Sequence, residues 1–276
     1  IRDITNPMKR IILLILLLLI VSCRDKSIQL PDRTYPLGLS LIFFADGYGS
    51  WQEFNQDIDV LLRQMKLVEP WKSYSDYNIY RIMPEETSIC TIKIKDERRP
   101  VIRCNPKLVN KYLNKLRAGY LKLIVLSRQR FESWANVVKD RNSGIFLSLP
   151  YPLISRQEEQ IGGIFFLHLL GHSFGLKDEE YFVLAKANSA AHKPDGPNCA
   201  PDIETAKAWW GDLVGKDGIG YFPGCAGNKN YIKPTKGSLM NLGDLKYFEL
   251  TYGLVSERYL QNILYSMKDG RESDVY

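Results

Sequence analysis

The chain has 276 residues, 45% of them hydrophobic and 25% charged, with a formal net charge of +6. This composition excludes a disordered chain and allows one large domain or two small ones. Its charges interleave, as in Lys93-Ile94-Lys95-Asp96-Glu97-Arg98-Arg99, and no basic stripe with stacked aromatics is evident, so no nucleic-acid partner is expected.

Met8-Lys9-Arg10, the apolar run Ile11–Val21 and Ser22-Cys23 read as a secretory signal peptide over residues 1–22, with the true start at Met8. The run is shorter than the roughly 20 residues of a membrane span, and its end resembles a bacterial lipoprotein processing box, with Cys23 as the lipid-bearing residue. A lipid-anchored protein of the bacterial cell envelope follows, on either the periplasmic or the cell-surface side. Without Arg2, Asp3, Lys9 and Arg10 the remainder is only mildly basic. Residues 23–37, polar and proline-containing, read as a tether, and the folded domain is expected from Gly38 to the end.

Within that domain Leu39–Phe44 reads as a buried strand stopping at Asp46-Gly47. Phe54, Ile58, Leu61, Leu62, Met65 and Val68 recur at helical spacing until Pro70. A strand over Tyr77–Met83, a hairpin of Thr91–Lys95 with Pro100–Arg103, a helix over Leu108–Leu116 and a buried strand over Leu121–Leu126 follow, and Ser143–Leu149 reads as an edge strand. This alternation predicts an α/β (α+β) domain with a mixed sheet. Residues 182–245, rich in Gly, Pro and Asn, predict an irregular C-terminal subdomain with short helical pieces such as Asp202–Trp210, before a closing helix over Leu254–Met267.

Setting Cys23 aside leaves four cysteines in a chain expected to be exported, which implies disulfides. The sequence-local pairs Cys90–Cys104 and Cys199–Cys225 are favoured because each closes a short loop.

Chemistry concentrates in Arg156–Phe174 and the residues just after it. A helix there places His168 and His172 at i and i+4 on one face, where two imidazoles reach one zinc ion. Gly175 can end the helix in the left-handed conformation and return the chain toward the metal, and Asp178 is the first carboxylate after that turn, with Glu179 its rival as third ligand. The chain has only three histidines, so two at ligand spacing carry weight; His192 reads as a loop residue and a distant candidate for the third ligand. His-x-x-x-His-x-x-Gly-x-x-Asp matches the metzincin spacing with aspartate for the third histidine.

Gly171-His172-Ser173-Phe174 and Glu180-Tyr181 resemble the histidine motif of the bacterial IgA-cleaving metallo-endopeptidase family. The similarity extends to Phe43-Phe44-Ala45-Asp46-Gly47-Tyr48, to Glu69-Pro70-Trp71-Lys72-Ser73-Tyr74, and to the segment from Tyr231 through Pro234-Thr235 and Ser238 to Met240. The resemblance implies a metzincin-like zinc-peptidase domain divided by a cleft, with Met240 in a methionine turn below the metal. It also implies an extracellular protein or peptide as substrate. An ungapped comparison places the family's acidic ligand on Glu179, whereas metzincin spacing selects Asp178. The motif glutamate is replaced by Leu169, which leaves no residue in the general-base position and predicts either impaired peptide hydrolysis or a non-catalytic protein that uses the cleft to bind protein or glycan.

Overall fold

The computed structural model describes residues 27–86, 88–95, 99–116, 120–136, 143–179, 196–242 and 248–268. The stretch read as a signal peptide, Cys23, Glu180, Tyr181 and His192 lie outside the described residues.

A six-stranded sheet forms the centre, in the order β1 (Ile28–Gln29), β3 (Tyr77–Ile82), β2 (Leu39–Asp46), β6 (Leu121–Ser127), β8 (Ser143–Ser148), β7 (Trp134–Asn136). The four inner strands pair in parallel and the two outer ones antiparallel, so the sheet is mixed. All of β2 is buried, as expected of a central strand covered on both faces.

One face carries helices α1 (Trp51–Met65), α3 (Arg156–Ser173) and α5 (Leu254–Lys268), packed on a core that includes Leu41, Phe43, Phe54, Phe166, Leu170 and Leu260. The other face is covered by the antiparallel hairpin β4 (Cys90–Lys95) and β5 (Arg99–Cys104) and by α2 (Pro106–Leu113), around Ile42, Phe44 and Tyr112. A smaller core at Ala206, Trp210 and Ile219 gathers α4 (Ile203–Trp210) near the hairpin β9 (Phe222–Cys225) and β10 (Asn228–Lys233). Both expected disulfides are present, Cys90–Cys104 joining β4 to β5 and Cys199–Cys225 fastening the start of the C-terminal part to β9. Among the described residues no helix is long and apolar enough to cross a membrane.

Three boundaries differ from expectation. Ordered structure begins before Gly38, because Ile28 and Gln29 pair with Ile82 and Arg81 and extend the sheet by one strand. The strand read as an edge, β8, is internal: Trp134–Asn136 pairs along it, and Trp134 stacks on Phe146 with ring centroids 4.3 Å apart. The stretch read as irregular contains a hairpin whose turn, Ala226-Gly227, has φ of 48° and 70° at its two residues, the positive values that suit a two-residue strand connection.

Helix α3 owes its placement to both its ends. Ser155 caps it through a reciprocal box, accepting from the Glu158 amide at 3.2 Å while the Glu158 carboxylate accepts from the Ser155 amide at 2.9 Å. The loop before it is anchored by Asp57, fully buried on α1, whose carboxylate accepts from the Leu153 amide at 2.9 Å and lies 2.8 Å from the Arg128 guanidinium. At the other end Gly175, with φ of 98°, reverses the chain, and the Leu176 amide bonds back to the Gly171 carbonyl at 3.1 Å.

Candidate metal centre

That reversal carries the chain from His172 back across the end of α3 and delivers Asp178 to the histidines. Nε2 of His168 and Nε2 of His172 lie 2.9 Å apart, and Oδ1 of Asp178 lies 3.4 Å from the first and 3.1 Å from the second. These three groups can hold a metal ion. Zinc held tetrahedrally at about 2.0–2.1 Å separates its donors by roughly 3.3 Å, and the observed edges fall within a few tenths of that.

Protonation follows from the second ring nitrogens. His168 Nδ1 meets the Leu239 carbonyl at 2.9 Å and His172 Nδ1 meets the Leu176 carbonyl at 2.8 Å. A carbonyl oxygen only accepts, so each Nδ1 carries the hydrogen and a neutral ring presents an Nε2 lone pair. Two lone pairs facing each other at 2.9 Å beside a carboxylate require a positive charge between them. Burial, followed by the neighbouring His172, pushes the His168 imidazole down to about 4. Burial also acts to lower His172, yet the hydrogen bond and charge of Asp178 carry it above its ordinary value. For Asp178 burial acts to raise the carboxyl, but the His172 bond and charge win and hold it below.

Glu179 is not at the histidines. Fully buried, it turns away: Oε1 accepts from Asn198 Nδ2 at 2.9 Å, and Oε2 accepts from Ser238 Oγ at 2.9 Å and Thr235 Oγ1 at 3.2 Å. Burial raises its carboxyl above the ordinary carboxylate value. Its amide donates to the Met240 carbonyl at 2.7 Å. Glu179 therefore braces the segment that bears Asp178. Met240 is fully buried against the helix at Gly171, where an added Cβ would stand 2.7 Å from the methionine sulfur, so only glycine admits this approach. Leu169 is 3% exposed and lies on the wall of the cleft that contains both histidines.

Sequence reasoning missed two supports. Asn198 clamps the ligand segment, accepting from the Lys177 amide at 2.9 Å and donating to the Lys177 carbonyl at 2.8 Å. From the other side the Ala226 amide donates to the Asp178 carbonyl at 2.8 Å. Asn198 and Ala226 each adjoin a half-cystine of the Cys199–Cys225 bridge, so this disulfide staples together the two flanks of the clamp. The cysteine pair was readable, but nothing in the sequence marks Asn198 among the many asparagines of its region.

The cleft over the centre has a volume of about 1120 Å³ and runs between α3 and the β7–β8 side of the sheet. At 3.6 residues per turn, positions 161, 165, 168, 169 and 172 share one face of α3, and all line it. No other carboxylate on α3 takes the place of a base beside His168. Glu158 is spent on the helix cap and Glu159 pairs with Arg63 at 3.4 Å. No protein-family model matches the chain, and no curated protein matches it in sequence.

Proposed function

We propose that the chain is an exported protein of the zinc-metallopeptidase type, similar to the IgA-cleaving endopeptidases, in which His168, His172 and Asp178 hold zinc while Leu169 removes the proton-transfer step. The observation that carries the reading is the pair of Nε2 lone pairs 2.9 Å apart with Asp178 completing the triangle. Two imidazoles and one carboxylate are a donor set that catalytic zinc uses in peptidases. Met240 and the Leu239 carbonyl, packed against α3 below the histidines, support the metzincin-like reading.

Zinc bound in such a site supplies positive charge that polarises a carbonyl and acidifies a nearby water. Neither carboxylate of α3, Glu158 or Glu159, is placed to take that water's proton and hand it to the leaving amine. Leu169 can do neither, and positioned proton transfer is worth about 10² to 10⁴ in rate. A second reading, a binding protein that keeps the cleft without turnover, is favoured by the same leucine, which makes the wall beside the histidines apolar. Export, a lipid anchor at Cys23 and an extracellular peptide or protein as partner complete the proposal, and the two disulfides fit an oxidising compartment.

The test is hydrolysis of a broad peptide library by the zinc-loaded protein beside its Leu169→Glu variant. Negligible turnover by the native protein and a gain of about 10² or more in the variant, abolished by chelator, is the expected result. Chelator-sensitive turnover by the native protein at ordinary peptidase rates would refute the assignment of Leu169.

A further inference from the structure

Resting on the zinc reading above, we infer that the cleft receives the free C-terminus of an apolar peptide, the terminal carboxylate seated at His168, His172 and Asp178 and the preceding side chains lying along Phe165 and Ile161. Charge complementarity comes first. Two neutral imidazoles and one carboxylate offset a single charge of a divalent ion, so the centre keeps a net positive charge. A glutamate beside His168 would offset the second charge and repel any carboxylate brought to the metal. Leu169 does not, and Lys177, next to Asp178 on the cleft wall, adds further positive charge. The two other acidic groups lining the cleft offset Lys177 but are set apart from the centre in the chain, Glu158 roughly 15 Å along α3 from His168 and Glu132 at the start of the β7 side, so the excess positive charge is that of the metal itself.

The apolar part of the ligand is read from the same helix face. Ile161 is 48% exposed and Phe165 45%, and Tyr151, on the loop after β8, is exposed in the same cleft. Large apolar side chains left in solvent along one groove mark a surface that a partner covers. Along α3, at about 1.5 Å per residue, Phe165 stands roughly 4–5 Å and Ile161 roughly 10 Å from His168. An extended peptide advances about 3.3 Å per residue, so roughly its last three or four residues span that distance. A cleft of about 1120 Å³ accommodates a segment of that size.

The experiment titrates the zinc-loaded full chain, its metal content fixed by elemental analysis, with N-acetylated Ala-Leu-Phe as the free acid, with the same peptide as its C-terminal amide, and with decanoate. The acid is expected to bind at least about tenfold tighter than the amide, because only the acid meets the uncompensated charge. Leu169→Glu should weaken the acid at least about tenfold at unchanged zinc content, and Phe165→Ser, at a position 45% exposed, should weaken acid and amide alike by about fivefold. Equal binding of acid and amide with zinc in place, or no effect of Phe165→Ser, overturns the inference and leaves the metal centre standing. Decanoate binding tighter than the peptide acid overturns the peptide assignment. A protein that holds no zinc when supplied with it overturns both readings.

Discussion

Replacing Lys122 by methionine tests how the end of α3 next to His172 is held. Lys122 sits on β6, 5% exposed, with Nζ donating to the Ser173 carbonyl at 2.6 Å and lying 4.1 Å from the centroid of the Phe174 ring. Burial lowers its ammonium from the ordinary 10.5 to about 7. The unfolded chain keeps the ordinary value, so between about pH 7 and 10.5 the unfolded state holds a proton that the folded state has released. Stability therefore rises with pH through that window, and below it the full cost of the buried charge persists. One proton is worth about 1.4 kcal/mol per pH unit, and with half the change already under way at pH 7 the rise to pH 9 amounts to about 2 kcal/mol. In Lys122→Met that slope is absent. Loss of the bond to Ser173 shifts the variant by a pH-independent amount, about 1–3 kcal/mol. Urea unfolding of both proteins at pH 7, 8 and 9 with chelator present reads the difference directly, since all other titrating groups are shared. A difference between the two proteins that stays constant across the three pH values would refute the reasoning.

Glu179→Ala removes the acceptor shared by Asn198, Thr235 and Ser238 and should lower unfolding stability by about 3–5 kcal/mol, with weaker zinc binding in a competition titration, while Glu179→Gln costs less on both measures. Removing the Cys199–Cys225 bridge, which spans 26 residues, should cost about 3–4 kcal/mol and weaken zinc binding, whereas removing Cys90–Cys104 on the opposite face of the sheet should cost stability and leave zinc affinity unchanged. Zinc affinity should fall as pH drops through the raised value of His172, because the proton shared with Asp178 competes for Nε2; an affinity that is flat from pH 7 to 5.5 would contradict this.

The main elements were legible wherever one residue pattern dominated. The continuous apolar run of β2 reflects burial on both faces, the helical spacing from Phe54 to Met65 reflects burial of one face, and the reach of α3 to Phe174 follows from a proline-free stretch of fair helix formers. Strands β1 and β7, two and three residues long, exist only through pairing with a neighbour and carry no period of their own. The β9–β10 hairpin was hidden because its turn is Ala226-Gly227, with alanine where asparagine or glycine usually signals positive φ. At the metal centre the i, i+4 histidines and the glycine turn were readable, since helix geometry alone brings them together. The choice between Asp178 and Glu179 was not, because it depends on partners of Glu179 far along the chain, Thr235 and Ser238 being 56 and 59 residues away, and on the Met240 carbonyl. Lys122, a single charge inside the apolar strand Leu121–Ser127, was passed over, because its partner on α3 lies 51 residues away in sequence.

The most direct measurement is zinc stoichiometry by elemental analysis of the full chain after equilibration with zinc and removal of excess, beside His168→Ala and Asp178→Ala. One zinc per chain is expected in the native protein, none retained in His168→Ala and strongly reduced retention in Asp178→Ala, all three with the same circular dichroism. A native protein without zinc, or a His168→Ala variant that keeps it, would contradict the assignment of the centre.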